Sequence, residues 1–182
     1  MTDVNVQYYL SPCGELVLAS VGDELCLCDW KAQPCAERNM RRLERLLGAE
    51  FREESSHVLE RTIIELDEYF DGHRTSFDIP LHPVGTSFQM SVWKALQEIP
   101  YGETRTYLEI ARKIGNVRGV RAVAQAIGAN GIAILIPCHR VIGSNNSLTG
   151  FAGGLAAKRT LLQLEAADNI KSGILSSCIP QA

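Results

Sequence analysis

TYLEIARKIGNVRGVRAVAQAIG, residues 106–128, reads as two short helices around a tight turn. Thr106 is an N-cap residue for a helix over Tyr107–Ile114, because its hydroxyl can accept from an otherwise unbonded backbone N–H. Gly115-Asn116 breaks that helix, and Gly119–Gly128 resumes one rich in small residues. Two short helices joined by a glycine-containing turn form the helix-turn-helix pattern, in which the second helix enters a DNA groove. Upstream, Thr86 or Ser87 caps a helix over Phe88–Glu98, with Phe88, Val92, Trp93 and Leu96 as its apolar stripe and Pro100-Tyr101-Gly102 as its stop. Downstream, the apolar run Ile132–Ile136 leads into Pro137-Cys138-His139-Arg140-Val141, then a Gly, Ser and Asn-rich loop over Gly143–Gly153. A last helix is expected over Gly154–Ala167, with a loose tail over 169–182.

The N-terminal half has a different texture. Gln7–Leu10, Leu16–Ser20 and Glu24–Asp29 are short β-rich runs separated by Ser11-Pro12-Cys13-Gly14 and Val21-Gly22-Asp23, which predicts a three-stranded antiparallel meander. Ala36–Leu47 and His57–Phe70 carry apolar residues at helical spacing, and Phe77–Leu81 is a possible fourth strand. His82-Pro83-Val84-Gly85 reads as a linker. The expected class is therefore α+β, with an α/β domain over 1–85 and a mainly helical, winged-helix-like domain over 86–168.

Charge divides at the same place. Residues 1–85 hold 8 Lys/Arg against 16 Asp/Glu, and residues 86–182 hold 10 against 5, so a net charge of -3 conceals an acidic and a basic half. The acidic total argues against a general polycation and assigns any nucleic-acid role to the second half. No apolar run is long enough for a transmembrane helix, and the N-terminus lacks the pattern of a signal peptide. The six cysteines are accordingly expected to be reduced thiols.

Cys138 is the residue with the most chemical promise. A reactive cysteine needs a stabilised thiolate or a neighbouring base. His139 supplies a base and Arg140 a positive charge, although a buried structural cysteine fits the same four residues. Cys13, Cys26, Cys28 and Cys35 are the set on which a zinc site would draw. Cys26 and Cys28 are expected on one face of a strand, which equally suits a half-buried sheet. The expectation is no metal and no cofactor, with zinc in the first domain as the alternative.

The wider pattern resembles the O6-alkylguanine-DNA alkyltransferases, the methylated-DNA–protein-cysteine methyltransferases. Ile136-Pro137-Cys138-His139-Arg140-Val141 resembles their active-site motif. Phe88-Gln89, Val92-Trp93, Ile99-Pro100-Tyr101-Gly102, Thr106-Tyr107, Arg121-Ala122-Val123, Asn130, Gly150-Phe151-Ala152-Gly153-Gly154 and Lys158 to Glu165 fall at the family's spacing around it. The resemblance is specific over about residues 86–166; the N-terminal half fits by its architecture and the turn at Ser11–Gly14.

What the resemblance implies is direct repair. The first domain would be ribonuclease-H-like and the second would bind duplex DNA carrying O6-alkylguanine, flipping the damaged nucleotide out of the stack. Cys138 would accept the alkyl group irreversibly. His139 would deprotonate Cys138 through a water, and Glu165 would orient His139. Tyr107 would protonate the leaving guanine, and Asn130 would brace the loop after the cysteine. Arg121 would fill the gap left by the flipped nucleotide from the minor groove, with Gly119, Ala122, Thr106 and Arg140 among the DNA-binding residues. Val141, Phe151, Ala152 and Gly153 would line the substrate pocket. The resemblance further implies a monomer without cofactor or obligate protein partner, in a prokaryotic cytoplasm or a eukaryotic nucleus, with O4-alkylthymine as a second substrate. Gly131 and Ala133 stand where the family often has prolines, Phe151 replaces a frequent Tyr and Ala152 a frequent Ser. A non-catalytic lesion-recognition protein and a Cys-His hydrolase are the rivals from other classes; the acceptor Cys138, which alkyltransferase-like binders lack, favours repair.

Overall fold

The computed structural model describes residues 2–171, with side chains to 166. It divides into two compact units: Met1–Thr86 with Gly131–Leu135, and Ser87–Asn130 with Ile136–Ala182. The main division falls between Thr86 and Ser87, and five residues of the second half count with the first unit.

In the first unit, β1 (Thr2–Ser11), β2 (Gly14–Val21) and β3 (Glu24–Trp30) form the expected antiparallel meander. Gly14 and Gly22 take φ of 113° and 53° in the two turns, a region that glycine enters without Cβ strain. Helix α1 (Pro34–Leu47) starts on a proline, whose missing N–H is harmless there, and ends at Gly48 in the left-handed region. The next strand, β4 (Ala49–Arg52), runs parallel to β1, so the sheet order is β3-β2-β1-β4. Val4, Val6, Val17, Ala19, Cys26 and Leu27 of the sheet pack with Ala36 and Leu43 of α1. Helix α2 (His57–Phe70), capped by Ser56, is tied to β1 by the Tyr9 hydroxyl, which donates to Asp67 at 2.7 Å.

The segment Phe77–Leu81 does not form the expected strand; it makes one bridge, Leu81 to Leu25. Pro80 lacks the N–H a ladder needs, and only its carbonyl serves, accepting from Leu25 N at 2.8 Å. A register shift between Ala19 and Ser20 also breaks the alternation in β3. Cys26 packs in the α1 core and Cys28 stands outside that cluster, so the two do not share a face as expected. Burial pushes the Cys26 thiol up to about 12. Among the described residues no group of three or more His, Cys, Asp and Glu side chains is placed to hold a metal ion.

The first unit also holds the chain that precedes the Pro-Cys-His-Arg motif. Cys28 N donates to Gly131 O and Ala133 N to Cys28 O, both at 2.8 Å, pairing this segment with β3. Beyond it the chain turns within three residues: Leu135 N donates to Ala133 O, and Ile134 between them has a φ of 71°. That conformation is strained for a β-branched residue.

The second unit is mainly helical: α3 (Ser87–Gln97), α4 (Tyr107–Lys113), α5 (Val120–Gly128) and α6 (Gly154–Lys171). The Trp93 indole N–H donates to Ala126 O at 2.8 Å, joining α3 to α5 in the core. Thr106 caps α4 in a full capping box with Glu109, and Gly115, at φ 73°, makes the turn toward α5. Two short strands, β5 (Arg105–Thr106) and β6 (Val141–Ile142), pair in parallel. Helix α6 runs to Lys171, so residues 169–171 are helical rather than tail; residues 172–182 of the expected tail lie outside the described residues. Among the described residues no helix is long and apolar enough to cross a membrane.

Candidate active site

Cys138 begins a 3-10 turn, Cys138–Arg140, that sits between an inverse turn at Pro137 and strand β6. Pro137 has φ -79° and ψ 63°, and Cys138 N donates to Ile136 O across it at 2.8 Å. The same carbonyl accepts from Asn130 Nδ2 at 2.9 Å. Asn130 thus braces the carbonyl that immediately precedes the Pro-Cys turn. Cys138, His139 and Arg140 are all buried.

Helix α6 supplies Glu165, which is fully buried and receives four hydrogen bonds. His139 Nε2 lies 2.7 Å from its Oε1. Arg140 donates through Nε to Oε2 at 2.9 Å and through Nη2 to Oε1 at 3.0 Å. Gly102 N donates to Oε2 at 3.1 Å. Burial alone would raise the Glu165 carboxyl, but His139 and Arg140 outweigh it and hold the group well below the usual carboxylate range. Glu165 is therefore ionised, and His139 Nε2 carries the hydrogen that it donates. That leaves Nδ1, a buried atom with no hydrogen-bond partner among the described residues, as the unprotonated nitrogen. Burial first, then Arg140 and Lys158, push the imidazole down, against the pull of Glu165.

Arg140 corrects an expectation. The family resemblance places it among the DNA contacts, yet its side chain is 9% exposed and its guanidinium is committed inside the unit, to Glu165 and, through Nη1, to Ile99 O at 2.7 Å. The planar fork of an arginine suits this bidentate role.

Lys158 is the residue that sequence reasoning passed over as a site residue. It is fully buried on α6 and donates to Val141 O at 2.6 Å and Thr149 O at 2.8 Å. Burial pushes its ammonium down to about 8, partly offset by the charge of Cys138. The signal was present: Ala157, Leu161, Leu162 and Ala166 mark the buried face of α6, and Lys158 and Glu165 lie on it seven residues apart. The Gly102 amide and the Ile99 and Thr149 carbonyls carried no such signal, because backbone groups are anonymous in a sequence.

The Tyr107 hydroxyl donates to Thr149 O at 3.3 Å, so one carbonyl joins Tyr107 to Lys158. The pairing of Arg105 with Val141 and Thr106 with Ile142 brings the start of α4 beside the chain that follows Cys138. Phe151 lies edge-on to the His139 ring, with centroids 6.5 Å apart. Val141 is buried, and Ala152 and Gly153 are half-buried. Thr106 is engaged in its capping box. Arg121 and Ala122 stand exposed in the first turn of α5, with Gly119 half-buried before them. The structure thus gathers Cys138, His139, Glu165 and Lys158 into one buried centre, with Tyr107 at the neighbouring loop and Arg121 on the solvent side of the second helix of the helix-turn-helix. A buried cysteine next in sequence to an imidazole whose tautomer is fixed by a carboxylate is suited to nucleophilic attack.

Two family models cover nearly the whole chain. Residues 4–83 match "6-O-methylguanine DNA methyltransferase, ribonuclease-like domain" and residues 87–167 match "6-O-methylguanine DNA methyltransferase, DNA binding domain". The chain is 41% identical over 174 residues to a methylated-DNA–protein-cysteine methyltransferase of Haemophilus influenzae, covering 95% of this chain and 92% of that one. It is similar in structure to the O6-methylguanine methyltransferase of Mycobacterium tuberculosis, with a TM-score of 0.78, 41% identity and coverage of 91% and 94% of the two chains. A crystal structure of the M. tuberculosis protein OGT in complex with DNA matches with a TM-score of 0.76 at 40% identity, over the same shares.

Proposed function

The chain belongs to the 6-O-methylguanine DNA methyltransferase family, and from that premise we propose that it repairs duplex DNA by moving an alkyl group from O6 of guanine to Cys138. It is a methylated-DNA–protein-cysteine methyltransferase that acts by direct reversal. Cys138 Sγ attacks the alkyl carbon; the S–C bond forms as the C–O6 bond breaks. The thiol proton passes to His139 Nδ1, by way of a water where the two atoms do not touch. The electron pair left on the purine is neutralised by a proton from the Tyr107 hydroxyl at N3, for which Tyr107 releases Thr149 O. Because a thioether is a poor leaving group, Cys138 stays alkylated and each molecule acts once.

The observation that carries this reading is the fixed tautomer of His139. Four donors hold Glu165 as a carboxylate, Nε2–H of His139 faces it, and Nδ1 remains to take the proton of Cys138. Arg140 is a positioning residue in this scheme, and Lys158 favours the Cys138 thiolate while fixing the carbonyls of Val141 and Thr149. Arg121 enters from the minor groove, where a degenerate code suits a protein that must act in any sequence. The protein works as a monomer without a cofactor, in the compartment that holds the DNA. O4-alkylthymine is accepted less readily, since it lacks the purine N3 toward which Tyr107 is assigned.

A stoichiometric assay tests the proposal. With O6-methylguanine duplex in excess, restored guanine should rise to one equivalent per protein and stop, and Cys138→Ala should give none while still binding DNA. Continued turnover, or hydrolysis of an ester by Cys138, would favour the hydrolase.

A further inference from the structure

Pro100-Tyr101-Gly102 reads in the sequence as a helix stop, and the structure gives that stop a second use. Glu103 N donates to Pro100 O at 3.1 Å, closing a four-residue turn. Gly102 has a φ of 74° and Tyr101 lies outside the positive region, which is the type II arrangement. A type II turn asks for glycine at its third residue, and at its second it makes no demand for an aromatic side chain. Its central peptide, between Tyr101 and Gly102, directs the Gly102 N–H onto Glu165 Oε2 at 3.1 Å.

The same stretch meets Arg140 twice. Ile99 O accepts from Nη1 at 2.7 Å, and the guanidinium lies over the Tyr101 ring, 5.6 Å from its centroid. Tyr101 is half-buried and Arg140 is buried. That separation is within the reach of a cation–π attraction, which strengthens as water is excluded. The hydrogen bonds of Arg140 act along its N–H directions, from Nε and Nη2 to Glu165 and from Nη1 to Ile99 O. The ring adds a pull that does not depend on those directions, so it resists tilting of the fork off the carboxylate.

We propose that Tyr101 is a positioning residue for the transfer: set by the Pro100–Glu103 turn, its ring holds Arg140 in its two-point grip on Glu165, and through that pair it fixes His139. The inference rests on the reading that Cys138 accepts an alkyl group, and adds to it a side chain that acts through Arg140 and Glu165.

The test separates the charge distribution of the ring from its shape. Tyr101→Phe keeps an aromatic face, and should leave single-turnover transfer from O6-methylguanine duplex within about twofold of wild type. Tyr101→trifluorophenylalanine keeps nearly the same outline but drains the face of negative charge, and should slow transfer about three- to tenfold relative to Tyr101→Phe. The acid limb of the rate should move as well. Glu165 of α6 pulls the imidazole of His139 up, while Arg140 beside it and Lys158 of α6 push it down. A loosened Arg140 therefore lets His139 take its proton at higher pH, and the limb should rise by about half a pH unit. Tyr101→Leu should do the same where it folds; the two aromatic variants carry the test where it does not. Equal rates and equal limbs in Tyr101→Phe and the fluorinated variant would overturn the proposal. So would a loss common to every variant with the limb unmoved, which would make the ring a support of the fold alone. Nitrogen NMR of the His139 ring reads its titration without any transfer. An upward shift in the fluorinated variant of a protein that accepts no alkyl group would keep Tyr101 in its place and refute the repair reading, whereas transfer by wild type with no difference among the variants refutes Tyr101 alone.

Discussion

Glu165 illustrates how much a single buried carboxylate organises. It fixes the His139 tautomer, takes both arms of Arg140 and reaches the Gly102 amide. Glu165→Gln keeps the shape but removes the charge, leaving the Arg140 guanidinium buried without its counterion. Breaking a buried pair in this way typically costs about 3–5 kcal/mol, so denaturant unfolding should show a loss of that order. Because the folded carboxyl is depressed, its stabilisation is present above the unfolded value, about 4.3, and is lost as pH falls toward the folded one. The wild type should therefore lose stability on acidification below about pH 4–5, and Glu165→Gln should lack that part of the curve.

Lys158 gives the opposite limb. Its ammonium is held near 8, so it is largely neutral by pH 9. The single-turnover rate should turn down above about pH 8, as the positive charge that favours the Cys138 thiolate is lost. Lys158→Arg, if it fits, should move that downturn out of range, since an arginine does not lose its proton. A rate that keeps climbing to pH 10 in the wild type would show that Lys158 plays no part. Stability runs the other way: a lysine whose folded value is lowered makes the fold more stable as pH rises from about 8 toward its unfolded value. The pairing of His139 with Glu165 is legible in the motif and its spacing, whereas the burial of Arg140 is not, because an arginine beside a DNA-binding motif looks like a phosphate contact until its surroundings are known. The strained turn at Ile134 has no sequence marker at all, since nothing about an isoleucine announces a positive φ.

At the level of elements, α4 is the most exposed to a small change. It has seven residues and depends on its capping box, in which Thr106 Oγ1 accepts from Glu109 N while Glu109 reaches back to Thr106 N. Thr106→Ala should lower stability by about 1 kcal/mol. It should also slow transfer, because Tyr107 is the first residue of that helix; an unchanged rate with a lowered melting temperature would make the cap purely structural. The helix-turn-helix was legible because its signals are local: a cap, a glycine turn, and a stripe of small and apolar residues. The parallel strands β4 and β5–β6 were not, because two to four residues carry no periodicity and their partners are distant in the chain. Arg121, exposed on the first turn of α5, should be dispensable for folding. Arg121→Ala should leave stability within about 0.5 kcal/mol but slow transfer from duplex far more than from free O6-benzylguanine. Equal losses on both substrates would refute its role in the groove.

At the scale of the whole molecule, the division of charge coincides with the division into units, and the +5 half carries the helix-turn-helix and the acceptor. A net charge of -3 is compatible with DNA repair because the potential that matters is local. The domain order and class were readable from patterning. The return of Gly131–Leu135 to the first unit was not, since an apolar run of five residues names no partner. Within the first unit that returning segment pairs with β3, and the chain re-enters the second unit at Ile136, whose carbonyl receives both Asn130 and Cys138.

The central claim is that Cys138 is itself the alkyl acceptor. The direct measurement is the mass of the protein, intact and then as peptides, after incubation with duplex containing O6-methylguanine. The account predicts one added methyl group, about 14 Da, on the peptide containing Cys138 and nowhere else. An unchanged mass in protein that binds the lesion tightly, or a methyl group on another residue, would contradict it.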